Sequence, residues 1–124
     1  MTSAAAVVAT AVLTALAVLQ VLVASGRPYG RLVWGGQHAT LPRHLRIGSA
    51  ASVVVYAGMA WVLLARAGLL PGRSGAVDVL AWVVLAYLAL GVVVNGISRS
   101  RAERLVQTPT CALLAACALV VALG

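Results

Sequence analysis

Charged side chains divide this chain into four uncharged stretches, 1–26, 47–65, 79–98 and 105–124. Each is near the roughly 20 residues that an α-helix needs to cross a hydrocarbon core. A chain that is 63% hydrophobic and 9% charged, with mean hydropathy +1.06, is far more apolar than soluble domains are, so lipid is the expected solvent. Backbone in lipid must satisfy its own hydrogen bonds, and uncharged runs of this length do so as helices. The expected fold is therefore all-α, one domain over 1–124, a bundle of four transmembrane helices spanning about 4–24, 42–65, 77–97 and 108–124. The connections are too short to hold a soluble domain.

Net charge is +7 with a pI near 11.2, which in a soluble protein would suggest nucleic acid. Here the arginines have a topological reading, and no nucleic-acid partner is expected. Arg27, Arg31, Arg43 and Arg46 fall between spans one and two, and Arg99, Arg101 and Arg104 between three and four. Only Arg66 and Arg73 lie between two and three. Positive charge is retained on the cytoplasmic side, so the basic loops one and three are expected inside, with the N-terminus, the C-terminus and the middle loop outside. Trp61 and Trp82 would then lie near one outer interface, as half of an aromatic belt. The absence of Lys and the wealth of Ala, Val, Leu and Gly suggest a GC-rich bacterial genome, hence a multi-pass protein of a bacterial inner membrane. Val23-Ala24-Ser25 imitates a signal-peptide cleavage site, but the preceding segment has no Lys or Arg and its apolar run is too long. The first span is expected to stay.

Local signals refine this outline. Thr10 and Thr14 can bond back to their own helix, which leaves Gln20 as the polar residue of span one that needs a partner. The loop from 26 to 41 carries four glycines with Tyr29, Trp34 and His38, a composition suited to the membrane interface. Pro42 fits a first helical turn and places Arg43, His44 and Arg46 where cations oppose the helix dipole, so an anionic companion is expected there. Asp78, in the first turn of span three, is favourably placed. Ser100-Arg101-Ala102-Glu103 matches the capping box, so a helix should start near Arg101. Thr108-Pro109 offers a second start or a kink, giving a short interfacial piece before span four.

Alternating helix direction carries Gln20, Ser49, Ser52, Asn95, Ser98, Thr108 and Thr110 to the cytoplasmic half. The candidate polar cluster is Gln20, Arg46, Ser49, Asn95, Ser98 and Glu103, with Gln20 or Ser49 as partner for Asn95 and an ion pair expected between Arg46 and Glu103. Arg27, Arg31, Arg43, Arg99, Arg101 and Arg104 are the candidate contacts to anionic lipid. The bland alternative for the cluster is hydrogen bonding that holds helices together.

Pro28-Tyr29-Gly30, Gly35-Gly36, Leu41-Pro42, Leu45-Arg46 with Ser49, and then Asn95, Ser98, Ser100, Glu103 and Pro109 form a recurring pattern. It resembles a family of small, uncharacterised four-span bacterial membrane proteins. The resemblance covers both basic loops and implies the four-span fold and these site residues, but no reaction, substrate or cofactor.

Exclusions narrow the function further. Small multidrug exporters depend on a membrane-embedded acid in span one, and fluoride channels on a phenylalanine motif, whereas this chain has no acid before Asp78 and no Phe. Acid–base or nucleophilic catalysis would have to be built from Asp78, Glu103, His38 and His44. His38 and His44 do not supply the roughly four ligands of a structural metal site, and no phosphate-binding loop follows the glycines, so no cofactor or metal is expected. Cys111 and Cys117 lie about 240° apart around a helix and cannot pair with each other. The expected function is that of a non-enzymatic accessory protein that binds anionic lipid or a membrane-protein partner. The alternative is a small transporter or channel acting as a homo-oligomer, against which stands the scarcity of polar groups in the outer half, only Thr10, Thr14, Tyr56 and Tyr87.

Overall fold

The computed structural model describes residues 1–30, 33, 38, 40–98 and 100–124. It is all-α, in the order α1 (Thr2–Ala24), α2 (Arg43–Arg66), α3 (Gly75–Gly96) and α4 (Arg101–Leu123). Each helix is long and apolar enough to cross a membrane. With 22 to 24 residues apiece they run about 33–36 Å at 1.5 Å per residue, against a hydrocarbon core of about 30 Å.

The helix ends follow local chemistry. Both α1 and α2 stop in the same glycine motif: Gly26 (φ 94°) and Gly68 (φ 82°) take the left-handed position, and Arg27 N–H reaches Leu22 O as Leu69 N–H reaches Leu64 O. A third glycine is fixed by packing, because a Cβ on Gly72 would stand 2.9 Å from the Trp61 ring. The start of α3 is capped by Ser74, whose Oγ accepts from Val77 N–H at 3.3 Å. Ser100 caps α4 in the same way, accepting from Glu103 N–H at 3.2 Å, and the helix starts at Arg101 as its sequence requires. Pro42 is the residue before α2 and not within its first turn, a shift of one position.

One boundary differs more. The expected interfacial piece and a separate span from 108 are a single helix of 23 residues that passes through Pro109. Proline removes one backbone donor, the one for Leu105 O, but the Ser100 cap has already committed the chain to helix, and Thr110 Oγ1 adds a bond to the neighbouring Val106 O at 2.6 Å.

The four helices run alternately, with α1 against α2 and α4, and α3 against α4 and α2. Gly124 lies beside Thr2, so both termini are at one end of the bundle. The core is filled by Leu13, Leu63, Leu114 and Val121, with Ala6, Ala9, Ala81 and Ala118 allowing close approach. Val23, Val33 and Leu41 make a second small core under loop one. Large apolar side chains such as Val54, Val79, Leu90 and Ile97 face outward, an arrangement suited to lipid and a liability in water.

Candidate functional site

The two ends of the bundle are built differently. At the end holding the α2–α3 turn, Arg66 has a side chain only 10% exposed, and its guanidinium sits 3.1 Å from Asp78 Oδ1. Arg73 approaches the same oxygen at 3.5 Å, and Arg66 Nη2 also donates to Ala122 O at 3.1 Å. Three helices are tied by one arginine: it belongs to α2, its acid to α3, and the carbonyl it caps to the last turn of α4. These are the two ion pairs among the described residues.

The opposite half contains a partly open cavity of about 270 Å³. Its polar lining is Gln20, Tyr56, Asn95, Glu103, Gln107 and Cys111, and its apolar lining includes Leu13, Leu16, Leu88, Leu90 and Leu114. Helical spacing explains the assembly: Glu103, Gln107, Cys111 and Leu114 follow one face of α4, and Leu88, Gly91 and Asn95 one face of α3. The faces come close at Gly91, where a Cβ would stand 3.4 Å from Cys111 Sγ. Val33, from loop one, also lines the cavity.

Within it, Asn95 Nδ2 donates to Gly91 O at 2.8 Å and to Cys111 Sγ at 3.3 Å. Gln20 Nε2 approaches the Tyr56 hydroxyl at 3.4 Å, while Gln20 Oε1 is buried with no partner among the described residues. Glu103 and Gln107 are buried, at 5% and 7% exposure. Among the described residues no three of His, Cys, Asp or Glu gather as metal ligands would.

Several of the sequence-derived candidates therefore meet and others do not. Gln20, Asn95 and Glu103 share the cavity. Ser49 is fully buried but is not among the cavity-lining residues, and Ser52 bonds back to Gly48 O at 3.0 Å. Ser98 sits at the α4 start, where its Oγ accepts from Ser100 N–H. Asn95 takes Cys111 as its cross-helix partner, not Gln20 or Ser49. The Arg46–Glu103 pair is not among the described ion pairs: Arg46 Nε instead donates to Ala24 O at 2.6 Å, because the uncapped carbonyls at the end of α1 lie within its reach. Arg27, Arg43, Arg46, Arg101 and Arg104 are exposed, and Arg104 also holds Ser98 O at 2.8 Å. Arg31 and Arg99 lie outside the described residues.

Gln107 and Cys111 were not among the sequence-derived site candidates, and Tyr56 and Tyr87, expected as polar groups of the outer half, line this cavity instead. The four-residue steps from Glu103 to Gln107 to Cys111 were a usable signal, since they place all three on one stripe of α4. Comparison with protein families, curated proteins and solved structures gives no match to this chain.

Proposed function

We propose that this is a non-enzymatic accessory protein of a bacterial inner membrane, similar in kind to the four-span family its motifs resemble. Loops one and three face the cytoplasm and both termini face outside. Its basic end gathers anionic lipid and through it serves a membrane-protein partner.

The observation that carries this reading is the contrast in arginine partners. Arg66 and Arg73 share Asp78, whereas Arg27, Arg43 and Arg101 are exposed and make no ion pair among the described residues. Exposed arginines beside an anionic leaflet are worth about 1 kcal/mol each. A groove of about 430 Å³ supports the same reading, because it sets Arg43 and Arg46 next to Ala24, Ile47 and Ala50, cations beside an apolar floor. Arg43 and His44 also open α2, where a phosphate would offset their opposition to the helix dipole.

Native mass spectrometry of the protein gently extracted from its own membrane tests this. The expected spectrum carries anionic lipid or a partner protein, and loses the lipid when Arg43 and Arg46 are both changed to Gln. A stable homo-oligomer without lipid or partner would contradict it and favour the small transporter or channel.

A further inference from the structure

The cavity carries an unmet hydrogen-bonding need that the lipid-binding reading does not use. Gln20 is 6% exposed, lines the cavity, and holds its Oε1 without a partner among the described residues. A buried acceptor left unsatisfied costs about 1–3 kcal/mol, so a group that donates to it has a ready gain. The Tyr56 hydroxyl, which receives Gln20 Nε2, keeps its own O–H to give. Asn95 adds a further acceptor, because both Nδ2 hydrogens are taken by Gly91 O and Cys111 Sγ and only Oδ1 remains. Acceptor oxygens facing the space disfavour an anion. Acceptors therefore stand beside one donor, which is the complement of a hydroxyl group.

The rest of the lining is apolar, and three rim residues on α3, Tyr87, Leu90 and Val94, are exposed on the outer surface of the bundle. Access is thus from the side, where lipid would lie. At about 270 Å³ the space is slightly below the roughly 300–1,000 Å³ of small-molecule sites.

We propose that this cavity binds a small, uncharged amphiphile with a hydroxyl head, which enters from the bilayer. Its O–H donates to Gln20 Oε1, its oxygen accepts from Tyr56, and its apolar body lies along Leu13, Leu88, Leu90 and Leu114.

Cys111 reports on occupancy, and Cys117, which is buried in the main core and outside the cavity, serves as the internal control. The full chain in lipid nanodiscs is treated with methyl methanethiosulfonate, and modification of each cysteine is read by peptide mass spectrometry. The probes are 1-hexanol, hexane with the same body and no head, and hexanoate with a charged acceptor head. Hexanol should slow Cys111 labelling about fivefold or more with Cys117 unchanged, while hexane and hexanoate have little effect. In Gln20→Leu the hexanol concentration needed should rise about tenfold. Equal protection by hexane or hexanoate, protection by none of the three, or a Cys111 that never labels would each overturn the proposal. The three-probe comparison uses the unaltered chain and stands even where the variant fails to fold.

Discussion

The two ends of this bundle handle polar groups in opposite ways. At the α2–α3 turn, one arginine is anchored to an acid on a second helix and a carbonyl on a third. At the other end, amides, a phenol, a thiol and a carboxyl group surround an opening. Lipid offers no hydrophobic drive between helices, so packing and specific polar ties must hold the bundle together. The closed end does this with few groups. The open end spends more polar groups, and among the described residues Gln20 Oε1 has neither a hydrogen bond nor an ion pair there, whereas Arg66 Nε and Asp78 Oδ1 at the closed end, though not hydrogen-bonded, face each other as an ion pair at 3.1 Å.

The contrast can be broken most severely in the shared core. Leu63→Ala, at a position with no exposure, should cost about 2–3 kcal/mol from lost packing, read by denaturant titration in mixed micelles. An effect below about 0.5 kcal/mol would mean the helices do not close as described. At the closed end, Arg66→Met removes the ties to Asp78 and Ala122 together and should cost about 1–2 kcal/mol by the same titration. The Arg73→Met change should cost well under half of that, since its side chain is 51% exposed and its separation from Asp78 is longer. At the open end, Ser100→Ala deletes the α4 cap and should cost about 1 kcal/mol, with amide exchange faster in the first turn of α4 and unchanged in α3. The smallest effect sharpens the comparison. Arg46→Glu combined with Glu103→Arg should show no rescue, its cost matching the sum of the singles within about 0.5 kcal/mol, because Arg46 is engaged with Ala24 O. Clear rescue would restore the ion pair that the sequence suggested.

How much of this could be read from the chain alone differs by end as well. Four spans followed from the spacing of charges, and the start of α4 from Ser100 and Glu103, because these are local patterns tied to backbone hydrogen bonding. Gathering Gln20, Asn95 and Glu103 required only that successive helices alternate in direction. Partner choice was not legible. Asn95 could reach several side chains, and which one it meets depends on the close approach at Gly91, a property of two helix faces at once. Arg66 and Asp78 each had a sufficient local explanation, as a topological charge and as a helix-start acid. Nothing in the sequence therefore called for their pairing, nor for the carbonyl of Ala122, 56 positions away.

The most direct test of four spans with unlike ends is side-specific thiol labelling in sealed vesicles of the protein's own membrane. In a chain with Cys111 and Cys117 changed to Ala, single cysteines replace Thr40 in loop one and Leu70 in the α2–α3 turn, both exposed positions. The account predicts that an impermeant maleimide reaches Thr40→Cys only from the cytoplasmic face and Leu70→Cys only from the opposite face. Labelling of both from one face would contradict the four-span arrangement, and a full exchange of sides would contradict the assignment of the basic end to the cytoplasm.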